Sequence, residues 1–189
     1  MDSIINFLGV NPYQAIAVPF IGGLASGYPP LYQKLTSGYF GNPRNTIRTW
    51  YPTLRKPSYN PPNWIFAPAW TSLYVTMGYS SHIIARIAME TISEPRYLLA
   101  RSALGIYTAQ LGVNLLWTPL FFGRRNPRAS LLDIGILGGL VAGMTWMFGE
   151  VDRVAGLLCL PYLAWIGFAS YLNYSIVKLN PDDGVDKPK

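Results

Sequence analysis

An all-α integral membrane bundle of five transmembrane helices is the fold this sequence predicts, and three observations carry it. The 189 residues are 50% apolar and only 13% charged, about half the charged share of an average soluble protein. The charges are also segregated. Asp2 and Lys34 enclose 31 uncharged residues, Lys56 and Arg86 enclose 29, Arg101 and Arg124 enclose 22, Asp133 and Glu150 enclose 16, and Arg153 and Lys178 enclose 24. A helix needs about 20 mainly apolar residues to cross the hydrocarbon core, whereas a soluble bundle carries charge on the wet face of each helix. Backbone groups in lipid must also be bonded within their own segment, and these runs are too long and continuous for barrel strands. Mean hydropathy is a modest +0.20, so the arrangement of charge decides the class.

The helices are expected over Tyr13–Tyr32, Pro62–Ile87, Tyr97–Phe122, Ala129–Gly149 and Val154–Val177. The fourth run is short, and Ala129–Leu132 extends it if Asp133 sits at the interface, where Arg124, Arg125 and Arg128 offer an ion pair. Pro19, Pro68, Pro119 and Pro161 fall within four of the five helices. Each removes a backbone bond and is expected to bend its helix. Residues 1–178 thus form one transmembrane domain, and 179–189 form a polar tail expected to be disordered. The loop over 33–63 is the unusual segment. It carries Gly38, Gly41, Pro43, Pro52, Pro57, Pro61 and Pro62 with Trp50, Tyr51 and Tyr59 between them. Long loops without secondary structure are lids or linkers, and the aromatics favour a packed lid.

Basic residues set the orientation. With five crossings, loop 1, loop 3 and the C-terminal tail share one side and hold eleven of them; Arg86, Arg96, Arg101 and Arg153 are the four on the other. The positive-inside rule then places loop 1, loop 3 and the C-terminus in the cytosol. The net charge of +6 does not point to nucleic acid, because the basic residues flank helices instead of interleaving with readout residues. The single cysteine, Cys159, lies in an apolar run and forms no internal disulfide. The start Met1-Asp2-Ser3 lacks the basic stretch of a cleaved signal peptide.

Catalytic constellations are missing from the pattern. The one histidine, His82, reads as a buried hydrogen-bonding group more readily than as a haem ligand, and no Cys, His or carboxylate cluster has metal-ligand spacing. What remains is an aromatic interior. Trp64 and Trp146 lie near helix ends, where aromatic belts anchor, but Trp70, Trp117 and Trp165 lie deeper. Gln110, Asn114, Trp117 and Phe121 fall on one face of the third helix. Trp70, Tyr74, Met77 and Ser81 form a similar stripe on the second, and Pro161, Trp165, Phe168 and Leu172 on the fifth. Stripes facing one another would make a slot for a flat ring system, with a few polar groups fixing its orientation. The competing reading of Gln110 and Asn114 is inter-helix hydrogen bonding. Small residues recur at Gly105 and Ala109 and at Gly135, Gly139 and Gly143, spacings that allow close helix approach within the bundle or between protomers.

Trp50-Tyr51-Pro52-Thr53-Leu54-Arg55-Lys56-Pro57-Ser58-Tyr59-Asn60-Pro61-Pro62-Asn63-Trp64, followed by Ala67-Pro68-Ala69-Trp70 and Leu73-Tyr74-Val75-Thr76-Met77-Gly78, resembles the signature of the translocator protein family, also called tryptophan-rich sensory proteins or peripheral benzodiazepine receptors. The resemblance continues through Gly105 to Leu111, Asn114, Trp117 and Phe121-Phe122-Gly123. It ends with Pro161-Tyr162-Leu163-Ala164-Trp165 and Phe168 to Tyr174, so it covers nearly all of residues 19–178. It implies a five-helix fold, often a homodimer, that binds porphyrins (protoporphyrin, haem), cholesterol or another sterol, and synthetic drugs. By this resemblance Trp50, Tyr51, Ala67, Trp70, Asn114, Trp165, Ala169 and Leu172 match the family's pocket, and Trp117 joins them from the third-helix stripe. Leu172, Tyr174 and Lys178 match a loose cholesterol motif; Gly105 and Ala109 match a dimer contact.

Two departures stand out. Loop 1 is longer around Lys34–Thr49 than in typical members, and Ala129 stands where animal members carry a pocket tryptophan. The mitochondrial outer membrane is the first expectation for location, with the endoplasmic reticulum or Golgi as alternative. The function expected is binding for tetrapyrrole or sterol transport or sensing, with porphyrin or haem as ligand and no other cofactor. The alternative is a light- or oxygen-dependent porphyrin-degrading enzyme using Trp70 and Trp165.

Overall fold

The computed structural model describes residues 1–27 and 43–181, and among them every regular element is helical. The α-helices are α1 (Asp2–Val10), α2 (Pro12–Gly27), α3 (Pro43–Thr49), α4 (Phe66–Glu90), α5 (Glu94–Thr118), α6 (Pro127–Val151) and α7 (Arg153–Leu179). The last four coincide with the second to fifth helices expected from sequence. The described part of the first is α2; Tyr28–Tyr32 lie outside the described residues, as does the tail beyond Pro181. Helices α6 and α7 are each long and apolar enough to cross a membrane, and α1 with α2 reach that length and apolarity only as a pair bent by 109° about Asn11, a broken span or a re-entrant loop.

Local chemistry explains the boundaries. Asn126 caps α6 by accepting the Ala129 N–H at 2.9 Å, and Pro127 follows as its first residue. The single residue Asp152 separates α6 from α7: its N–H closes on Phe148 and its carboxylate accepts the Ala155 N–H at 2.9 Å. Such an abrupt hairpin needs a close approach, and a Cβ on Gly156 would lie 2.6 Å from Gly149 Cα. The crossing of α2 over α4 has the same requirement at Gly78, where a Cβ would meet Ile16 Cα at 2.6 Å.

Helix α6 packs between α5 and α7, while α4 touches α5 and α7 and carries α1 and α2 on its other side. The core between them holds Met77, Ile84, Leu104, Tyr107, Leu137, Val141, Met144, Phe148 and Tyr162. His82 is buried and its Nδ1 lies 2.8 Å from the Leu8 carbonyl oxygen. A carbonyl can only accept, so Nδ1 carries the proton and the histidine holds down the end of α1. Arg96 likewise donates to the Val151 carbonyl at 3.1 Å.

Several expectations are corrected. Pro68 occupies the first turn of α4, where no intrahelical bond is lost. Pro119 does more than bend α5. It cannot donate to the preceding turn, and the chain widens into a π-helical turn over Pro119–Gly123, closed by Arg124 N–H on the Pro119 carbonyl at 2.9 Å. Arg125 then takes a left-handed φ of 51° into the α6 cap. Loop 1 contains the helix α3 and single 3₁₀ turns at Tyr51–Thr53 and Asn63–Ile65. Asp133 does not form the expected ion pair with a loop-3 arginine: it is buried, and its Oδ2 has no hydrogen-bond partner among the described residues. Arg128 instead donates to the Pro181 carbonyl.

Candidate functional site: an aromatic cavity

A cavity of about 500 Å³ opens between α2, α4, α5, α6, α7 and loop 1, within the range of roughly 300–1,000 Å³ usual for small-molecule sites. Each wall follows from a helical stripe. Trp70 and Tyr74 come from α4, one turn apart, with Phe66, Ala67 and Thr71 beside them. Helix α5 and its π turn supply Asn114, Trp117, Thr118, Phe121 and Phe122. The wide turn brings the consecutive Phe121 and Phe122 both to the wall, and such turns recur at functional sites. Trp165, Ile166, Ala169, Leu172, Asn173 and Ile176 come from α7, and Ile134 and Leu137 from α6. The remaining wall is Phe20, Gly23, Leu24 and Ser26 of α2, with Ile47, Tyr51 and Asn63 of loop 1.

The aromatic rings around the cavity pack in three groups, one on Trp70, one on Trp117 and one on Trp165. Trp117 stacks on Phe121 with centroids 4.9 Å apart and planes 16° from parallel. Trp70 tilts against Tyr74 at 5.4 Å and meets Tyr162 edge-on at 6.3 Å. Trp165 lies edge-on to Phe66 at 6.0 Å and tilts on Phe168 at 5.7 Å. Tyr51 stands edge-on to Phe121 and Phe122, and Lys56 Nζ sits over its ring, 3.9 Å from the centroid. Burial pushes the Tyr51 hydroxyl above its ordinary pKa of 10.0, opposed in part by its hydrogen bond to Asn60. Burial also lowers the Lys56 ammonium below its ordinary value.

Two amide networks hold the walls. Tyr74 donates to Asn114 Oδ1 at 3.2 Å, Asn114 donates to the Tyr162 hydroxyl at 3.1 Å, and Tyr162 donates to Gln110 Oε1 at 2.9 Å. Asn173 accepts from Trp117 Nε1 at 3.2 Å and from Ser130 at 3.0 Å while donating to the Pro127 carbonyl at 2.8 Å. Against this, Trp165 Nε1 is buried and has no partner among the described residues. The residue lines the cavity through other atoms of its ring.

The structure gathers Tyr51, Ala67, Trp70, Asn114, Trp117, Trp165, Ala169 and Leu172 around this one space. Trp50 is not on the wall; it packs edge-on behind Phe121 at 5.7 Å. Ala129 does not line the cavity either. The three residues of the sterol motif are not brought together. Leu172 is buried at the cavity, whereas Tyr174 is half exposed and Lys178 exposed on the outer face of α7. Gln110 is fully buried in the hydrogen-bond chain, so for that residue the inter-helix reading holds. Phe168 and Pro161 fall off the wall, Phe168 backing Trp165 and Pro161 facing outward. Sequence reasoning missed the α2 and α6 walls, whose Phe20, Leu24, Ile134 and Leu137 carry no signal beyond apolarity. It also missed Asn173 as an organiser, although an amide inside an apolar run was the available clue.

The small-residue spacings separate in the structure. A Cβ on Gly135, Gly139 or Gly143 would meet nothing within 4 Å, so among the described residues these three pack against no other helix. Ala109 is exposed, and Gly105 lies under Met1, whose Cε would be 3.5 Å from its Cβ.

Comparison with known proteins agrees with this architecture. The TspO/MBR family matches residues 15–179. The translocator protein of Sus scrofa is 39% identical over 146 residues, 76% of this chain and 83% of its own length. A translocator protein homolog from Schizosaccharomyces pombe is 39% identical over 132 residues, 69% of this chain and 77% of its own. The tryptophan-rich sensory protein of Cereibacter sphaeroides is 38% identical over 131 residues, again 69% and 77%. A match across nearly the whole helical bundle, with relatives from an animal, a yeast and a bacterium, makes this integral membrane protein a member of the TspO/MBR family.

Proposed function

We propose that the cavity binds a flat or rigid hydrophobic ligand, a porphyrin such as protoporphyrin or haem or a sterol such as cholesterol, in tetrapyrrole or sterol transport or sensing. The observation that carries this is the wall itself: Trp70, Trp117, Phe121 and Trp165 surround a volume of about 500 Å³ with only a few amide and hydroxyl groups among them. Ring stacking contributes about 0.5–1.5 kcal/mol beyond area burial, and Asn114 and Thr118 are the polar side chains on the α5 wall that could orient a polar edge. The described wall residues include no His, Cys, Asp, Glu, Lys or Arg, which supports binding over acid–base chemistry. In this reading the chain crosses the bilayer five times, through α2 with α1, α4, α5, α6 and α7. Loop 1 and the C-terminus then face the cytosol from the mitochondrial outer membrane or, alternatively, the endoplasmic reticulum or Golgi. The protein pairs as a homodimer through Gly105 and Ala109.

Protoporphyrin titration in the dark and under light tests the function. Saturable tryptophan quenching with unchanged porphyrin absorbance in light is the expected result. A new product band under light would convert the assignment to porphyrin degradation with Trp70 and Trp165 as redox partners, and no saturation would remove both.

A further inference from the structure

Asn180 is the residue at which α7 stops. Its N–H bonds the Ile176 carbonyl at 3.1 Å, and its side-chain Nδ2 bonds the same carbonyl at 2.8 Å. The same carboxamide reaches back 125 residues along the chain. Its Oδ1 accepts the Arg55 N–H at 2.9 Å and its Nδ2 donates to the Arg55 carbonyl at 2.9 Å. One side-chain amide thus exchanges both bonds with one backbone residue, as paired residues of adjacent strands do. Asn180 is only 6% exposed, so these bonds are sheltered from water.

The segment it grips is the loop-1 wall of the cavity. Tyr51 and Leu54 are buried against Phe121, Leu172 and Ile176. Farther along, the Tyr59 and Ser175 hydroxyls lie 2.5 Å apart and the Tyr59 ring stacks on Tyr171 at 5.3 Å. Asn180 itself does not line the cavity. Residues 50–60 are tied to α7 by hydrogen bonds at two places, by Asn180 at Arg55 and by Ser175 at Tyr59, where Tyr171 also stacks. Elsewhere along this segment, among the described residues, apolar and ring contacts hold the wall.

We propose that Asn180 is a positioning residue that latches residues 50–60 across the cavity, so that breaking its bonds to Arg55 opens a path for ligand without altering the binding surface. The latch rests on the reading of the cavity as a ligand site. It acts on the rate of exchange: an unlatched wall admits and releases ligand faster by similar factors, and the equilibrium moves little. The chemistry demands asparagine. An aspartate would still accept the Arg55 N–H but would turn lone pairs toward the Arg55 and Ile176 carbonyls, and alanine offers nothing to either group.

The test uses the full chain in detergent micelles with Asn180→Ala, Asn180→Asp and Tyr59→Phe. Without ligand, trypsin should cut after Arg55 roughly tenfold faster in Asn180→Ala, as expected when two sheltered hydrogen bonds to Arg55 are lost. It should also cut faster in Asn180→Asp, which loses one of them and sets lone pairs against the carbonyls, and by a smaller factor in Tyr59→Phe. With protoporphyrin as probe, stopped-flow tryptophan quenching should show association and dissociation rates rising together, with Kd within about threefold of the parent, where tenfold would be 1.4 kcal/mol. Unchanged trypsin cleavage overturns the latch. Faster dissociation with an equal loss of affinity also overturns it, since Asn180 would then support the binding surface itself. Where Asn180→Ala does not elute as a single species, Asn180→Asp and Tyr59→Phe decide. A parent protein without saturable quenching defeats the ligand reading alone, because the trypsin comparison judges the latch independently.

Discussion

Trp165 and Trp117 both line the cavity, yet their indole nitrogens differ. Trp117 Nε1 is bonded to Asn173, which also holds Ser130 and the start of α6. Trp165 Nε1 is buried without a partner among the described residues. A buried unpaired donor costs about 1–3 kcal/mol, a penalty that Trp165 carries and Trp117 does not, while the Trp165 ring offers a stacking face at the cavity. Trp165→Phe should therefore weaken protoporphyrin binding roughly tenfold while the melting temperature falls little, because phenylalanine keeps the contacts to Phe66 and Phe168 and removes the orphan. Trp117→Phe should show the reverse balance, a clear loss of melting temperature as Asn173 loses a donor. Equal melting shifts with unchanged affinity at both positions would refute the distinction. Sequence placed Trp70, Trp117 and Trp165 deep from helix spacing alone. It could not tell the anchored indole from the free one, because Asn173 reaches Trp117 across 56 residues.

Elements were legible in proportion to their length. Helices α4 to α7 run 25 to 27 residues, and uncharged runs of that size announce themselves. Helix α1 has 9 residues and α3 has 7. Helices so short are unstable alone and exist through tertiary contacts, such as His82 on the Leu8 carbonyl, that spacing does not reveal. The π turn at Pro119 was hidden for a related reason: proline signals a lost bond, not how the chain rearranges around it. Loop 1 shows what its aromatics do once docked. Tyr51 is 7% exposed, and burial raises its hydroxyl above the ordinary 10.0. A group whose folded pKa is raised adds stability below the unfolded value and loses it as pH climbs through the folded one. Lys56, lowered by burial, acts in the opposite sense, its docking penalty easing as pH rises through its depressed value. The difference in phenolate absorbance between the parent and Tyr51→Phe should consequently titrate with a midpoint above 10. A midpoint at 10 would place the ring in water and the wall of the cavity elsewhere.

At the scale of the whole molecule, α1 bears on assembly. The family match begins at residue 15, so α1 lies outside it; α1 packs on α4 and α2, and only its first residues reach α5. Met1 covers Gly105, Asp2 accepts from the Tyr97 hydroxyl at 2.9 Å, and Gly9 fits tightly against Ala85 and Met89. Of the expected contact face, Ala109 remains open. Close approach of small residues drives helix pairing in lipid, so occupying Gly105 from within should weaken pairing through α5. Deleting residues 2–10 uncovers that glycine, and the deleted chain should dimerise more tightly in detergent than the full one, read as mass by sedimentation or light scattering. Adding Gly105→Leu and Ala109→Leu to the deletion should return it to monomer, since a bulky pair keeps the backbones apart. If the deletion leaves the mass unchanged, α1 is not a cover. If the leucines also leave a dimer intact, its contact lies elsewhere, and the open face of Gly135, Gly139 and Gly143 on α6 is then the surface to block.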